Sequence, residues 1–555
     1  MHRRDISKAI VGIAATGVPV TNYQYSPNHV GDDVRRHGNI DLTGGIDCSA
    51  ILSSANKVGV ALYFSPGTYR ISSNLTFSVP LILDYGAMLK PDKGVTLTIN
   101  APIWAGPWQI FNLSNSGAAL AGVLQPINYD GAILVEWFGG GQGATDDSAY
   151  FNQALLAAHN SGGLVVRLLA KNYNVKNSIY MAGSSSAVPG SLPCLWGSAG
   201  PGNSSPQMGT RITTTGAIAT VVANAGDSSS TLKAGIKDIH FVGNGNDISI
   251  QLNGCDYYDV ERCTFDGPKI GLQFYCSSTS VYTEFCRAVK CVFNYCATAA
   301  IRYTVHGGGF TSFHGCGLQD CWVSMNSASQ KVVIIDGRGA VYNAPLTFQC
   351  WTGGNAVTLI ENNSTALSSC HGVITIEGGS PDVPIVLAGG TGLPIFFAGK
   401  LNLNSLGCTS GNFTQFDVVQ TNGTAMSFYG GRKTTTFPLS TGTTQEAGPN
   451  LLFGTSRLVT IEIVNTARTY YYRAVLLVLS LNSGFTGQVT TLASYLQNNA
   501  AKYGAPTFAF GNAGGLAITN AAYPSSGVIA VVESTQIGGL PLNPNYSSTQ
   551  GYAYV

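Results

Sequence analysis

Apolar residues recur at a fixed register in the middle of the chain. Four six-residue segments align without gaps, and their fourth and sixth positions are almost all apolar: IKDIHF (236–241), VERCTF (260–265), AVKCVF (288–293) and LQDCWV (318–323). The fourth positions are Ile239, Cys263, Cys291 and Cys321, spaced 24, 28 and 30 residues apart. Coils of about this length predict a parallel β-solenoid, because each strand stacks on the preceding coil and like residues form interior ladders. The sixth positions, which we expect in the same core, are Phe241, Phe265, Phe293 and Val323.

Alternation along a strand predicts the outer face of the same segments. If the fourth and sixth positions point inward, the third and fifth point outward. The third-position row is Asp238, Arg262, Lys290 and Asp320, and the fifth is His240, Thr264, Val292 and Trp322. Such a face is typical of a carbohydrate groove, since aromatic rings stack on sugars and charged groups hydrogen-bond hydroxyls or pair with uronic acids. The alternative is a solvated face with an alternating salt-bridge ladder.

Further apolar runs with glycine-rich turns extend the predicted solenoid to roughly residue 430. Three of them end in an acid where a strand meets a turn, namely Asp336, Glu361 and Glu377. Beyond that point no coil-length repeat continues, and residues 457–481 have the pattern of two long, Tyr-rich strands. We therefore predict a C-terminal antiparallel β-sandwich over residues 431–555.

One stretch, GATDDSAYFNQALLAAHNSGG (143–163), has the pattern of a helix. Thr145 or Asp146 fits the N-cap, Asp147 lies in the first turn, and 161–163 (Ser-Gly-Gly) ends the helix. The apolar stripe is Tyr150, Phe151, Ala154, Leu155 and Ala158. The two adjacent acids raise the question of a catalytic pair.

Residues 38–69 and 139–173 repeat one module: a glycine-rich turn, Asp-x-Ser-Ala, a short helix, an apolar β run, a turn and Tyr. Ser49 matches Ser148 at a spacing of 99, and Tyr69 matches Tyr173 at 104. In the first copy Cys48 replaces Asp147, so the module tolerates the loss of one acid. We therefore interpret Asp146 and Asp147 as a helix cap and expect the chemistry further downstream.

The repeated module resembles the start of pectate-lyase-like right-handed parallel β-helices, where a DG-x-TDDT turn leads into a helix and then a V-x-F-P-x-G-x-Y strand and turn. YFSPGTYRI (63–71) and GATDDSAYFNQAL (143–155) carry the match, whereas LLAKNY (168–173) lacks the Pro and Gly, so its turn is expected to differ. Such modules open many tailspikes of tailed bacteriophages. The resemblance implies an all-β right-handed parallel β-helix with a C-terminal antiparallel β-sandwich that drives trimerisation or binds sugar.

The predicted domains are an N-terminal anchor (1–35), a first module or head domain (36–135), a glycan-binding or catalytic β-helix (136–430) and the C-terminal sandwich (431–555). Residues 1–20 contain twin arginines and an apolar run too short to span a bilayer. The run resembles a twin-arginine export signal, but it has no clear A-x-A cleavage site. We expect an anchor into a larger assembly, with export as the alternative.

Composition narrows the classes of function. Charged residues make up 10% of the chain, against roughly 25% in ordinary globular proteins, and the net charge of +1 gives no reason to expect nucleic acid. The thirteen cysteines form no CxxC pair and are interpreted as reduced core residues. Cys286, Cys291 and Cys296 are five residues apart, which on a strand would turn successive sulfurs to opposite faces.

No nucleophile-elbow, zinc-protease, P-loop or dinucleotide motif occurs in a supporting context, which leaves carboxylate chemistry. Acids on the same or adjacent coils meet the separations that glycoside hydrolysis needs. The catalytic candidates are Asp320, Asp336, Glu361 and Glu284, and the substrate-binding candidates are Trp322, His240, Arg262, Lys290 and Trp351. The alternative is β-elimination on a uronate polymer by His240, His306 or His314 with Arg262, Lys290 or Arg302. No metal or other cofactor is expected.

The leading hypothesis is a homotrimeric tailspike of the virion tail that binds, and hydrolyses, a capsule, exopolysaccharide or O-antigen. Other tail proteins would hold residues 1–35, and no membrane span is expected. The alternatives are a non-catalytic receptor-binding fibre, a polysaccharide lyase, and an exported bacterial polysaccharide hydrolase.

Overall fold

The computed structural model divides the chain into two compact units, residues 1–311 and 312–555. It describes residues 31–538 apart from the segments 57–58, 116, 129–130, 187–191, 199–208, 226–234, 279–280, 307–310, 338, 367, 378–384, 393–394, 404–407, 412, 415–416, 421–427, 430–431, 440–443, 448–455, 466–470, 481–486, 498–505, 511–515 and 520–527. The anchor predicted for residues 1–35 lies almost wholly outside the described residues. The predicted domain boundaries stay predictions.

Residues 32–126 form a separate set of stacked parallel β-strands. The sequence pattern did not predict this stacking. Three small parallel sheets surround a core that includes Phe64, Phe77 and Leu89. The first sheet contains Asp32–Asp33, Leu62–Phe64, Leu81–Leu83, Pro102–Trp104 and Gln125–Pro126; the second contains Thr43–Asp47, Gly67–Ile71 and Ala87–Pro91; the third contains Leu75–Phe77, Thr96–Ile99 and Ala119–Ala121. A 3-10 helix, Val34–His37, and an α-helix, Ser49–Ala55 (α1), complete this module.

The second copy of the module begins with the strand Ile133–Leu134, the 3-10 helix Val135–Phe138 and the α-helix Ser148–Asn160 (α2). Helix α2 buries Phe151, Ala154, Leu155 and Ala158, four of the five residues of the predicted stripe. Asp147 occupies the N-cap position, so the helix begins one residue later than a cap at Asp146 predicts and two later than a cap at Thr145. Its carboxylate does not cap α2, since it accepts hydrogen bonds from the backbone N–H groups of Gly141 and Asn174.

The two copies share one hydrogen-bonding arrangement, which confirms the duplication. Asp47 accepts from the backbone N–H and hydroxyl of Ser49, and Asp146 accepts from the same two groups of Ser148. Each acid also accepts from the returning strand, Asp47 from the backbone N–H of Ser72 at 2.9 Å and Asp146 from that of Lys176 at 3.1 Å. Asp47 and Asp146 thus tie the helix to the returning strand in both copies.

The turn before the shared tyrosine differs between the copies, as expected from LLAKNY. In the first copy the chain passes through Gly67 with φ 152°, and Tyr69 donates to the carbonyl of Ser65. In the second copy the Lys171 N–H donates to the Leu169 carbonyl, and the Tyr173 hydroxyl accepts from the Leu169 N–H.

The remainder of the first unit is a larger parallel β-helix. One sheet stacks its strands across successive coils: Val165–Arg167, Asn172–Val175, Cys194–Trp196, Thr210–Thr214, Gly235–Lys237, Ile239–Val242, Asp259–Glu261, Thr264–Asp266, Arg287–Val289 and Val292–Asn294. A second sheet contains Ile179–Tyr180, Ala219–Asn224, Ile248–Asn253, Ile270–Cys276 and Ala299–Val305. All the pairings between these strands are parallel, which confirms the predicted fold class.

The interior ladder is confirmed at the predicted positions. The rings of Phe241 and Phe265 stack with centroids 5.4 Å apart, and those of Phe265 and Phe293 with centroids 4.6 Å apart. The twelve cysteines whose side chains the structure describes are all buried. Small apolar thiols thus fill the core, as interpreted from composition.

The residues at the third position of the aligned segments point outward, as predicted, but not because the side chains of one strand alternate. In the first three segments the six residues are two short strands joined by a corner residue in the left-handed conformation, with φ 60° at Asp238, 48° at Arg262 and 52° at Lys290. The same corners show that the prediction for Cys286, Cys291 and Cys296 was wrong, since their sulfurs do not turn to opposite faces. Phe285, Lys290 and Tyr295 are left-handed corners, and each turns the following cysteine inward, so Cys286, Cys291 and Cys296 are all buried.

The second unit contains more parallel strands, in two long sets. One has the strands Gly317–Ser324, Ala344–Trp351, Ser368–Glu377, Ile395–Leu403, Phe413–Thr414 and Asp417–Gln420; another has Lys331–Ile335, Val357–Asn362, Ile385–Gly389 and Cys408–Gly411; two short strands are Thr311–His314 and Gly339–Tyr342. The parallel pairs continue to residue 420, close to the predicted end of the solenoid.

The C-terminal part is antiparallel, as predicted. A six-stranded sheet runs in the order Phe428–Tyr429, Arg432–Leu439, Val528–Gly538, Ser456–Asn465, Tyr471–Ser480 and Gly487–Gln497, and a three-stranded sheet contains Thr444–Ala447, Leu516–Thr519 and Thr507–Phe510. The rings of Tyr472 and Phe508 join the two sheets, with centroids 6.1 Å apart. Within the part of the chain that the structure describes, no helix is long and apolar enough to cross a membrane.

Candidate functional site

Two carboxylic acids occupy equivalent positions on neighbouring coils of the first unit. Asp256 and Glu284 form a parallel β-bridge just before the strands Asp259–Glu261 and Arg287–Val289. The Glu284 N–H donates to the Cys255 carbonyl at 2.9 Å, and the Tyr257 N–H donates to the Glu284 carbonyl at 3.1 Å. Backbone positions paired in this way are about 4.8 Å apart, so the coil stacking itself brings the acids together.

The environment of this pair favours protonation. Both side chains are half-buried, and burial raises the pKa of Asp256 and of Glu284. The negative charge of Glu284 raises the pKa of Asp256 further. Two carboxyls that share a site in this way titrate as a pair, so one can hold a proton while the other is ionised.

An exposed aromatic stack lies beside the acids. The rings of Tyr257 and Phe285 are parallel within 11° with centroids 4.8 Å apart, although the residues are 48% and 39% exposed. Both are left-handed corners, with φ 55° and 53°. A bulky residue in this conformation costs roughly 1–2 kcal/mol, and strain of that kind clusters at ligand sites. Flat, exposed rings are suited to stacking on sugars.

A groove of about 220 Å³ adjoins the stack and is lined by Trp196, Gly235, Ile236, Lys237, Tyr257, Asp259 and Glu261. The Lys237 ammonium lies 3.5 Å from the centroid of the Trp196 ring, a cation–π contact. Arg287 pairs with Asp259 at 3.0 Å, and Arg262 pairs with Glu261 at 3.1 Å. The groove therefore offers an aromatic face, an ammonium and fixed carboxylates to a polar ligand.

Three predicted substrate-binding residues lie on the first unit. The Arg262 guanidinium donates to both carboxylate oxygens of Asp238 at 2.7 Å, as the salt-bridge-ladder alternative predicts. Lys290 is an exposed corner residue. His240 lies 3.8 Å from a carboxylate oxygen of Asp266 and lowers the pKa of that acid.

The second unit brings together two other predicted acids, Asp336 and Glu361. The Asn363 side-chain amide donates to Glu361 at 2.9 Å and lies 3.5 Å from an oxygen of Asp336. The strands Lys331–Ile335 and Val357–Asn362 pair so that Ile334 faces Glu361. A shared amide donor holds these acids on adjacent coils.

The two predicted tryptophans also lie on the second unit, on neighbouring strands. The Trp322 indole N–H donates to the Ser324 hydroxyl at 2.7 Å, and Trp322 is in register with Gln349. Trp351 is 37% exposed and in register with Glu377, which accepts a hydrogen bond from the Gln349 amide. Asp320 is an exposed left-handed corner with φ 54°.

Sequence reasoning missed Asp256 and the aromatic pair. The signal was present, because Asp256-Tyr257 and Glu284-Phe285 are 28 residues apart, the same spacing as Cys263 and Cys291. Among the described residues, no group of three or more His, Cys, Asp or Glu side chains could hold a metal ion.

Comparison with known proteins gives a fold-level likeness. No family model matches the chain, and no curated protein matches it. Solved structures that resemble it include the tailspike of Acinetobacter phage vB_ApiP_P1 (14% identity, TM-score 0.31, 74% of this chain and 88% of that chain) and PfbA, a surface adhesin of Streptococcus pneumoniae (10%, 0.23, 70% and 92%). A third is the tailspike of Acinetobacter baumannii bacteriophage Fri1, described as a capsular polysaccharide depolymerase (11%, 0.16, 91% and 88%). The chain is thus similar to phage tailspikes and to an adhesin at TM-scores below 0.5.

Proposed function

We propose that this chain is a virion tailspike that binds a bacterial surface polysaccharide along its β-helix and hydrolyses it. The observation that carries the proposal is the pairing of Asp256 with Glu284 on adjacent coils, beside the exposed stack of Tyr257 and Phe285. The duplicated opening module, with its resemblance to tailspike β-helices, supports the same assignment. A homotrimer attached to other tail proteins through residues 1–35 belongs to the proposal.

Glycoside hydrolysis needs one carboxyl that is protonated and one that is ionised. In the proposed reaction, the protonated member of the pair gives its proton to the glycosidic oxygen as the bond to the anomeric carbon breaks. The ionised member either attacks that carbon or takes a proton from the water that does. The raised pKa values of Asp256 and Glu284 support these roles, because a general acid must keep its proton near neutral pH.

The surrounding residues support polysaccharide as the ligand. Tyr257 and Phe285 offer a stacking face, and Trp196 with Lys237 offers a second aromatic position in the adjoining groove. Asp259 and Glu261 are acceptors for sugar hydroxyls, and their arginine partners fix their positions. Sugar recognition commonly combines such apolar faces with charge-assisted hydrogen bonds.

The test is release of oligosaccharides from purified host polysaccharide. We expect Glu284→Gln and Asp256→Asn to reduce the rate by at least about a hundredfold while polymer binding persists. Asp320→Asn and Asp336→Asn are matched acid-to-amide variants at the other candidate positions, and Glu361→Gln completes the set. Glu284→Gln and Asp256→Asn could both keep full activity while Asp336→Asn or Glu361→Gln loses it. That result would show that the catalytic acids are Asp336 and Glu361, beside Asn363.

A non-catalytic receptor-binding fibre is the second candidate. The observation that favours it is the ion pairing of Asp259 with Arg287 and of Glu261 with Arg262, since a groove of paired charges suits binding without reaction. Binding of the polymer by the wild-type protein with no released product would select this function over hydrolysis. A product with a new C=C bond, which absorbs in the ultraviolet, would instead indicate a lyase.

A further inference from the structure

We propose that a basic groove on the first module binds carboxylate groups of an acidic polysaccharide. The groove is open to solvent and has a volume of about 640 Å³. Its lining includes three cations, Arg70, Lys90 and Lys93, and one acid, Asp92, beside Gly45, Ser72 and Asn115. The inference rests on the proposed function, because it names the class of polysaccharide and adds a second contact region on the same chain.

Three neighbouring parallel strands bring the cations together. Gly45, Arg70 and Lys90 come from the strands Thr43–Asp47, Gly67–Ile71 and Ala87–Pro91. Arg70 and Lys90 are register partners, and such positions on adjacent strands are about 4.8 Å apart. This register places Lys90 on the strand next to Arg70, on the same face of the sheet.

The charges of the residues that line the groove do not cancel, since three cations stand beside one acid. Arg70 pairs with Asp92 at 2.9 Å, and its guanidinium also donates to the Gly45 carbonyl at 2.8 Å, so this cation is neutralised and fixed in place. Among the described residues, neither Lys90 nor Lys93 makes an ion pair. The groove therefore keeps two ammonium groups in a chain where only 10% of residues are charged.

The other lining groups favour a sugar over a peptide. Glycine, serine and asparagine line the groove beside the charged residues, and no apolar side chain is among its lining residues. Peptide partners are anchored chiefly by apolar or aromatic side chains that fill pockets. An acidic polysaccharide instead presents hydroxyls and carboxylates, which match hydroxyl, amide and ammonium groups.

The experiment measures binding of the full-length protein to polygalacturonate, alginate and hyaluronate, with dextran as the neutral control polymer. We expect at least one acidic polymer to bind more tightly than dextran, and its affinity to fall as the salt concentration screens the ammonium groups. Lys90→Gln/Lys93→Gln should weaken that binding about tenfold. Lys176→Gln/Lys269→Gln removes the same charge at two exposed positions outside the groove and should leave affinity unchanged.

Several results would overturn the inference. These are no preference of the wild-type protein for any acidic polymer over dextran, equal weakening by the two double variants, and tighter binding of poly-L-glutamate than of every acidic polysaccharide. The hydrolysis assay with host polysaccharide is scored separately. If the protein releases oligosaccharides but its groove binds no acidic polymer, this inference is wrong and the proposed function is still supported.

Discussion

Asp256 and Glu284 face each other across neighbouring coils, 28 residues apart in the chain, as partners in a parallel β-bridge. Each acid is followed by an exposed aromatic residue in the left-handed conformation, Tyr257 after Asp256 and Phe285 after Glu284. Each of the two coils therefore contributes one carboxyl and one aromatic ring. Stacking of the coils places the two carboxyls next to each other, beside the two stacked rings.

The pKa of Asp256 is expected to fall in Glu284→Gln. The negative charge of Glu284 is one cause of the raised pKa, and its removal makes ionisation of Asp256 easier. Burial still keeps the pKa above the ordinary value of about 3.9. Titration of the side-chain carboxyl by ¹³C NMR measures it. A pKa that does not change, or that rises, would mean that the two carboxyls are not coupled.

Asp256→Asn is expected to stabilise the folded protein at neutral pH by about 0.5 kcal/mol, after allowance for solvent screening. A carboxyl whose folded pKa is raised contributes stability that is complete below its unfolded pKa and is lost as pH rises through the folded pKa. Both acids have raised pKa values, so at neutral pH the wild-type protein has already lost this contribution to its stability. Denaturation by urea at pH 7 and at about pH 4 measures it. A stability gain that is larger at the lower pH would contradict the sign.

Phe285→Gly is expected to lower polysaccharide affinity about tenfold while leaving stability unchanged or higher. The ring is lost from the stack, but glycine removes the cost of a left-handed conformation, roughly 1–2 kcal/mol. Tyr295→Gly is the matched control, since Tyr295 is also an exposed left-handed aromatic, with φ 52°. Equal loss of affinity in both variants would remove the special role of the Tyr257–Phe285 stack.

Phe265→Ala is expected to lower the free energy of unfolding by about 3–5 kcal/mol. Phe265 is the middle ring of the interior stack, between Phe241 and Phe293, so its removal leaves a cavity with ring faces on both sides. Phe265→Leu retains most of the volume and should cost less than half as much. Chemical denaturation measures both variants, and similar stability of the two would show that the coil closes around the cavity.

Asp146→Ala is expected to destabilise the protein by about 1–2 kcal/mol without changing oligosaccharide release per folded molecule. Its carboxylate accepts hydrogen bonds from Ser148, Lys176 and Asn177, which join α2 to the returning strand. Asp47→Ala is the equivalent change in the first copy, where Ser49 and Ser72 are the donors. Loss of activity in well-folded Asp146→Ala would reopen the catalytic interpretation of the Asp146–Asp147 pair.

Several elements followed from local pattern alone. Helix α2 and its apolar stripe were predictable because a helical period and a glycine-rich end lie within one stretch of residues. The ladder of Phe241, Phe265 and Phe293 was predictable because each coil repeats the same apolar spacing. Asp336 and Glu361 were predicted acids, and the structure brings them together through Asn363.

The sequence by itself determined a solenoid with a duplicated, helix-capped opening and an antiparallel C-terminal part, since periodicity and turn residues are properties of neighbouring positions. Only the tertiary structure decided which acids meet. The alternation of side chains along a strand does not predict the left-handed corners. A single residue with positive φ changes which of the following side chains point inward. The partner of Glu284 depends on the path of a whole coil, so Asp256 could be assigned to it only once that coil was folded.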